Sequence, residues 1–144
     1  MSTRPIREII RNQSIFSAPG TMNVRDAAAL MKKNNVGAVM VLKQQHLVGI
    51  FTERDALFRV LAAHRNPRTT HLDEVMTPAP QTIASDRPFG HALHIMYEGG
   101  FRHVPVVDRG RLVGCVSARD ALSSEIRAFE SDLEEREHIA EILG

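Results

Sequence analysis

Apolar residues recur along the chain with two periods, and these periods alternate in a fixed order. In the stretches VRDAAALMKK at 24–33 and FGHALHIMYEGG at 89–100, they follow the i, i+3, i+4 spacing of an amphipathic helix. The second stretch closes with Gly-Gly, a pair that typically ends a helix. Each stretch therefore predicts one helix followed by a break.

Two β-rich runs joined by a few polar residues follow each predicted helix. VGAVMVL and HLVGIF, joined by KQQ, occupy 36–51, and HVPVV and RLVGCV, joined by DRG, occupy 103–116. The short polar connections predict two β-hairpins. The first hairpin leads directly into ERDALFRVLAAH at 53–64, which predicts a second helix ending near Asn66-Pro67.

The two halves of the chain repeat each other at an offset of 65 residues, the distance from Thr52 to Ser117. VMVLKQQHLVGIFTERDAL at 39–57 aligns without a gap on VPVVDRGRLVGCVSARDAL at 104–122. Upstream, PIREII resembles HLDEVM if one residue is skipped, so each repeat spans about sixty residues. Two copies account for nearly the whole chain.

The order of elements predicts an α/β (α+β) fold of two pseudo-symmetric β-α-β-β-α repeats packed sheet to sheet. One repeat alone is too small to bury a core, so we expect the pair to share one. The predicted boundaries are 1–66 for the first repeat, 67–124 for the second and 125–144 for a C-terminal helical extension.

The helical pattern after Asp120 continues in a stripe that departs from the repeat. Its apolar positions are Leu122, Ile126, Phe129, Leu133, Ala140 and Leu143, and Arg136 interrupts their spacing. A coiled-coil seam in a homodimer and a helix packed on its own domain both fit, since fewer than four heptads are present.

Composition narrows the function classes. The 144 residues are 43% apolar, enough for one compact domain, and a formal net charge of +1 gives no basic face for nucleic acid. No apolar stretch reaches the roughly 20 residues that cross a bilayer, and MSTRPIREII lacks the apolar segment of a secretory signal. We therefore expect a cytoplasmic protein with no nucleic-acid or membrane partner.

Residues suited to catalysis or metal binding do not form a recognisable set. The single Cys115 excludes a disulfide within the chain and a thiolate zinc site, and predicts a buried thiol in a reducing compartment. His91 and His94 are three apart on a predicted helix, but no carboxylate or Cys nearby completes a metal site. No Gly-x-Ser-x-Gly elbow or Walker lysine loop is present. We predict no enzyme activity, no catalytic residue or cofactor and no metal.

TERD at 52–55 and SARD at 117–120 are the motifs whose side chains suit either helix capping or ligand binding. A Thr or Ser followed three residues later by Asp is close to a capping box, which stabilises by about 1 kcal/mol and needs no ligand. However, the arginine of each motif opposes the positive end of the helix dipole, and a bound anion would reverse that effect. Gly49 and Gly114 in the preceding strands allow a backbone or a ligand to approach closely.

These groups together suit a nucleotide. Free N–H groups at the helix start, the Thr or Ser hydroxyl and the guanidinium would donate to phosphate oxygens. An ionised Asp only accepts hydrogen bonds, so it suits the two hydroxyls of a ribose. Helix capping alone stays open as the alternative.

VGIFTERD and VGCVSARD, together with RHVPVVD at 102–108 and EVMTP at 74–78, resemble the sequences of a tandem pair of cystathionine-β-synthase (CBS) domains, or Bateman module. Here the pair would stand alone, because the resemblance covers almost the full chain. It implies two clefts between the repeats and adenosine-containing ligands, namely AMP, ADP, ATP, NAD or S-adenosylmethionine.

The resemblance also implies which residues bind the nucleotide. The second-repeat site would comprise Thr82, Ile83, Ala84, Arg102, His103, Val104, Pro105, Ser117, Arg119 and Asp120. The first-repeat site would comprise Ser17, Ala18, Gly37, Ala38, Val39, Thr52, Arg54 and Asp55. Ser117 and Arg119 would lie near phosphate and Asp120 on ribose. GAVMV departs from the usual small-hydrophobic-Pro-Val pattern, so the second-repeat site matches the family better.

Two functions follow as hypotheses. In the first, the protein is a regulatory sensor in which an adenine nucleotide shifts the conformation and a separate, unknown protein responds. In the second, it is a dimerising interaction module without a small-molecule ligand. We expect a homodimer in either case.

Overall fold

The computed structural model describes residues 1–143, which form two compact units. The first-repeat unit consists of 14–81 and 108–112, and the second-repeat unit consists of 1–13, 82–107 and the described residues from 113 onwards. Residues 1–13 open the predicted first repeat but belong to the second-repeat unit, and residues 67–81 open the predicted second repeat but belong to the first-repeat unit. The predicted boundaries at 66 and 124 refer to the sequence repeat and not to these units, so they stay a prediction.

The helices and strands follow the predicted order. In chain order they are α1 (Ile6–Ile10), β1 (Ser17–Pro19), α2 (Val24–Asn34), β2 (Ala38–Lys43), β3 (His46–Thr52), α3 (Glu53–Asp55), a π-helix (Ala56–Leu61), α4 (Leu72–Val75), β4 (Thr77–Pro78), α5 (Phe89–Gly99), β5 (His103–Asp108), β6 (Arg111–Ser117), a 3₁₀ turn (Ala118–Asp120) and α6 (Ser123–Leu143). Both amphipathic helices and both hairpins predicted from the periodicities are confirmed.

The first-repeat unit contains a sheet in the order β1-β2-β3-β4. The first pair is parallel, with Ser17 opposite Met40, and the other two pairs are antiparallel, with Ala38 opposite Thr52. In the second-repeat unit, β5 and β6 form the hairpin, and Ile83 bridges to it in parallel. In both units, the segment before the amphipathic helix therefore pairs in parallel with the first strand of the hairpin that follows that helix.

Local capping explains where the two amphipathic helices begin and end. The Asn23 side chain accepts from the Asp26 N–H at 2.8 Å at the start of α2, and Asn35 ends that helix at a positive φ of 51°. Gly100, with a φ of 71°, ends α5 as the Gly-Gly pair predicts.

The segments after the hairpins differ from the predicted helices. In the first repeat, the helix predicted over 53–64 is one α-helical turn followed by the π-helix. In the second repeat, Ala121 is extended, with a ψ of 131°, and α6 begins only at Ser123. The prediction of a helix continuing from Asp120 is therefore wrong, because the extended conformation of Ala121 interrupts the helix after the 3₁₀ turn.

The buried apolar side chains form two clusters, each inside one unit. Phe51 and Leu72 are at the centre of the first-repeat cluster, and Phe89 and Val104 are in the second-repeat cluster. Helix α1 contributes Ile6 and Ile10 to the second-repeat cluster, and α4 contributes Leu72 and Val75 to the first-repeat cluster.

Helix α6 contacts its own unit through residues as far along as Arg136. The Phe129 ring lies 4.9 Å from the His94 ring and 5.8 Å from the Tyr97 ring, and Arg136 pairs with Glu98 at 2.9 Å. Residues 134–143 are exposed. Among the described residues, no helix has the length and apolar character needed to span a membrane.

Candidate functional site

The SARD motif closes a capping box at the end of β6. The Ser117 N–H donates to Asp120 Oδ2 at 2.7 Å, and the Arg119 N–H donates to Ser117 Oγ at 3.3 Å. These bonds hold 118–120 in the 3₁₀ turn. The predicted cap is confirmed, and the Asp120 carboxylate is left partly exposed.

Two other predicted segments adjoin this motif. The Ala118 N–H donates to the Arg102 carbonyl at 3.0 Å, which joins the motif to the start of β5. The Ile83 N–H donates to the Pro105 carbonyl at 3.1 Å and the Val107 N–H to the Ile83 carbonyl at 3.0 Å. One unit therefore contains all the residues predicted for the second-repeat site: Thr82, Ile83, Ala84, Arg102, His103, Val104, Pro105, Ser117, Arg119 and Asp120.

The exposure of these residues separates supporting groups from groups that can meet a ligand. Val104 and Pro105 are fully buried and contribute backbone and core. Arg102 and Arg119 are exposed, and His103 is partly exposed. The side chains able to contact a solute here are therefore mainly polar or cationic.

An ion pair beside the SARD motif is not predictable from the motif itself. Arg4 Nη2 donates to the Asp120 carbonyl at 2.9 Å and to Glu125 Oε1 at 2.8 Å. Glu125 is 6% exposed and also accepts from the Leu122 N–H at 2.9 Å and from the Ser2 hydroxyl. The N-terminal segment thus connects the backbone of Asp120 to the start of α6.

The surroundings of Glu125 favour its ionised form. Burial opposes ionisation, but hydrogen bonds from Ser2, the Leu122 N–H and Arg4 outweigh it and hold the pKa of the Glu125 carboxyl below its ordinary value. Glu125 forms only the glutamate half of a capping box, because Leu122 has no side-chain acceptor, so the spacing at 122–125 does not identify this cap in the sequence.

The TERD motif forms the same box in a more enclosed setting. The Thr52 N–H donates to Asp55 Oδ2 at 2.9 Å, and the Asp55 N–H donates to Thr52 Oγ1 at 3.3 Å. Arg59 Nε lies 3.5 Å from Asp55 Oδ1, and the Thr77 hydroxyl donates to the same oxygen at 3.5 Å. Asp55 is 7% exposed, and both of its carboxylate oxygens have partners within the unit.

The predicted first-repeat residues also lie together in their unit. The Glu53 N–H donates to the Gly37 carbonyl at 3.0 Å, and the Arg54 guanidinium lies over the Phe58 ring at 5.6 Å. Strand pairing sets Ala38 opposite Thr52 and Val39 opposite Phe51. Ser17 and Ala18 lie on the other side of β2, opposite Met40 and Val41. The full set is Ser17, Ala18, Gly37, Ala38, Val39, Thr52, Arg54 and Asp55.

Both motifs use the first N–H of their turn in the same way. The Glu53 and Ala118 N–H groups each donate to a backbone carbonyl at 3.0 Å, at positions 37 and 102. These two N–H groups are therefore not available to a phosphate, contrary to the expectation of free donors. At SARD the Arg119 N–H is also engaged, with Ser117 Oγ, and the Ser117 hydroxyl and Arg119 guanidinium are the side-chain donors that an anion could use.

The two strand glycines have a packing role. A Cβ added to Gly49 would collide with the Met76 side chain, and one added to Gly114 would lie 2.7 Å from Ile10 Cγ2. The close approach inferred from the sequence is real, but the chain's own side chains make it.

The Cys115 thiol is partly buried. Burial raises the pKa of Cys115 to about 12, and the charge of Asp120 adds to this effect, while a backbone hydrogen bond at Val104 opposes it. The thiol is therefore protonated and unreactive near neutral pH.

Among the described residues, His91 and His94 do not belong to a cluster of three potential metal ligands. His94 Nε2 lies 3.5 Å from Asp132, and its ring packs on Phe129. Within residues 1–143, a different exposed group, His71, Asp73 and Glu74, has one potential ligand atom each within 4.8 Å of the others. Glu74 is already a cap acceptor for the His71 N–H at 2.7 Å and a partner of Arg65 at 2.9 Å.

Known proteins with similar sequences carry CBS domains. The CBS domain model matches residues 6–62 and 72–126. The Arabidopsis thaliana CBS domain-containing protein CBSCBSPB5 is 43% identical over 72 residues, which are 50% of this chain and 13% of that protein. The chain thus spans only a small part of that relative.

Solved structures are similar over most of the chain. The CBS-domain containing protein ATU1752 from Agrobacterium tumefaciens is 25% identical with a TM-score of 0.75, over 83% of this chain and 91% of that one. The CBS domain pair of protein MJ0100, solved with methylthioadenosine and S-adenosyl-L-methionine, is 27% identical with a TM-score of 0.72, over 81% of this chain and 94% of that one.

Proposed function

The chain belongs to the CBS-domain family, and from this premise we propose that it is a regulatory module that binds an adenosine-containing ligand at the SARD motif. The observation that carries the proposal is the grouping in one unit of the partly exposed Asp120 carboxylate, the exposed Arg119 and the 82–84 segment. The MJ0100 domain pair, solved with two adenosine derivatives, supports the ligand class.

The chemistry of each group suggests its role. Asp120, an acceptor, would bind the ribose hydroxyls through the oxygen that the cap does not use. The Ser117 hydroxyl and Arg119 would bind a phosphate or another anionic group. The segments 82–84 and 103–105 would flank the base, with the buried Val104 and Pro105 contributing their backbone. The candidate ligands are AMP, ADP, ATP, NAD and S-adenosylmethionine.

The TERD motif would be the weaker of the two sites. Asp55 is buried and bonded to Arg59 and Thr77, so a ribose would have to displace internal partners. Ligand binding at SARD would then shift the populations of conformations, and a separate protein would respond to that shift. This role needs neither a catalytic residue nor a cofactor.

Thermal unfolding with each of the five ligands tests the proposal. A ligand at a hundred times its Kd stabilises by about 2.7 kcal/mol, which raises Tm by several degrees in a chain of this size. We expect a saturable rise for at least one of the five. If none raises Tm at millimolar concentration, the proposal is wrong.

A single substitution then locates the site. Asp120→Ala should remove the ligand-dependent rise in Tm and cost about 1 kcal/mol of stability through the lost cap. Asp86→Ala, which changes an exposed carboxylate of the same unit, is the matched control and should retain binding. Unchanged ligand binding by Asp120→Ala would remove SARD from the site.

The exposed end of α6 favours the second candidate, a dimerising module. Ile139 is 55% exposed and Ile142 is 69% exposed, beyond the last contacts that the helix makes with its own unit. Deleting 137–144 retains Glu125 and Phe129, so the unit should still fold. Light scattering should show a dimer dissociating on this truncation, whereas an unchanged mass would exclude a dimer formed through this end.

A further inference from the structure

A cavity of about 720 Å³ lies within the first-repeat unit, apart from the TERD motif. The turns of both hairpins line it, at 44–46 and at 109–112, and all of these residues belong to that unit. Of the proposed nucleotide residues only Ser17 reaches it, and none of Thr52, Arg54 and Asp55 does. Its volume is within the range of small-molecule sites.

The lining of this hairpin-turn cavity is cationic. Arg109 and Arg111 contribute two guanidinium groups, and His46 contributes an imidazole. Asp and Glu are absent from the residues that line it in the described chain, although Asp108 precedes the turn. Leu42 and Leu112 provide an apolar wall. The combination suits a molecule with a strongly anionic group and an apolar body.

The backbone of the two turns is strained around this cavity. Gln44, Gln45 and Arg109 have positive φ angles of 50°, 66° and 51°. They are three of the six non-glycine residues with positive φ in residues 1–143, and all three line the cavity. Two-residue hairpin turns favour Asn-Gly at such positions. Asn or Gly at these positions would relieve the backbone strain. Retained backbone strain of this kind is typical of functional sites.

We propose that the hairpin-turn cavity binds the phosphate monoester of a small organic molecule. A phosphate monoester carries a charge of about −1.5 to −2 at neutral pH, which matches two guanidinium groups. Guanidinium groups hold phosphate oxygens in bidentate geometry, and the Gln44 and Gln45 amides add neutral donors. The apolar wall formed by Leu42 and Leu112 accommodates the organic group.

An NMR titration of the full chain with phenyl phosphate at constant ionic strength tests this proposal. We expect saturable shifts of the backbone amides at 44–46 and 109–112. Arg109→Ala and Arg111→Ala should each weaken binding about tenfold or more, because a hydrogen bond to a charged group is lost. Arg68→Ala, which changes an exposed arginine outside the cavity, should bind as the wild type does.

The probes define what the cavity recognises. Inorganic phosphate should bind more weakly than phenyl phosphate, and benzoate more weakly still. Equal binding of benzoate would overturn the preference for phosphate, and equal binding of inorganic phosphate would overturn the role of the apolar wall. An absence of saturable shifts with phenyl phosphate, or shifts unaffected by Arg109→Ala with Arg111→Ala, would overturn the site itself.

A turn substitution separates function from folding. The Gln44→Asn, Gln45→Gly double variant should raise Tm, because it relieves the positive φ strain. It should weaken phenyl phosphate binding, because it removes the Gln45 amide and withdraws the amide at position 44 by one methylene. Unchanged affinity would show that the glutamines take no part. Asp120→Ala should leave phenyl phosphate binding intact, so failure of the nucleotide proposal and failure of this one are distinguishable.

Discussion

Removal of the carboxylate should have unequal consequences in the two repeated motifs. Asp55→Ala and Asp120→Ala delete the same residue of the same capping box, but Asp55 is 7% exposed and Asp120 is partly exposed. Asp55 also accepts from Thr77 and pairs with Arg59, whereas the Asp120 carboxylate accepts from the N–H and the hydroxyl of Ser117 in its own box.

The expected magnitudes follow from these contacts. Each substitution loses a cap, worth about 1 kcal/mol. Asp55→Ala also leaves the partly buried Thr77 hydroxyl without its acceptor, a bond with no counterpart at Asp120, and this adds about 1–2 kcal/mol. The Arg59 pair adds little, because Arg59 is 49% exposed and the ion pair is largely screened. We expect losses of about 2–3 kcal/mol for Asp55→Ala and about 1 kcal/mol for Asp120→Ala.

Urea unfolding measures both losses as shifts of the midpoint at constant slope. Glu53→Ala, which changes an exposed carboxylate in the same turn as Asp55, serves as the control and should alter stability by no more than about 0.5 kcal/mol. Equal losses for the two aspartates, or a larger loss for Asp120→Ala, would refute the reasoning that burial and extra partners distinguish the motifs.

Three other predictions concern single side chains. The Glu125 carboxyl has a lowered pKa, so its contribution to stability is complete above its ordinary pKa of 4.5 and is lost as pH falls through the lower folded value. Glu125→Gln should reduce the loss of unfolding free energy between these pH values. An unchanged plot of unfolding free energy against pH would contradict this. The Cys115 thiol, with a pKa of about 12, should react with iodoacetamide at pH 8 only on unfolding, and rapid labelling of the native chain would be inconsistent with this pKa. Gly114→Ala should cost about 1–3 kcal/mol of unfolding free energy against the branched Ile10 side chain, and Gly49→Ala should cost less because a flexible methionine can move; the reverse order would contradict this.

The repeating pattern was sufficient to predict the hairpins, the two amphipathic helices and both caps, because each depends on residues close in sequence. The 65-residue offset also identified equivalent positions correctly, since the N–H groups of Glu53 and Ala118 have equivalent carbonyl partners. Local spacing therefore carries most of the secondary structure.

Long-range packing accounts for what could not be predicted. The sequence offers no local indication that Arg4 bonds to residues more than a hundred positions away, at Asp120 and Glu125. The strand glycines indicated a close approach, but whether a ligand or a side chain makes it depends on where Ile10 and Met76 lie. The cavity lined by both hairpin turns depends likewise on segments distant in sequence.

Residues outside the doubled motif determine what each copy can do. The TERD carboxylate is enclosed by Arg59 from its own helical segment and by Thr77 from β4, so its oxygens already have partners within the unit. At SARD, the basic residue Arg4 contacts the Asp120 carbonyl rather than the carboxylate, and its own charge is matched by Glu125. The Asp120 side chain is thereby left facing solvent while its backbone is fixed. A fixed backbone with an accessible acceptor is what ligand recognition requires, since little order has to be gained on binding.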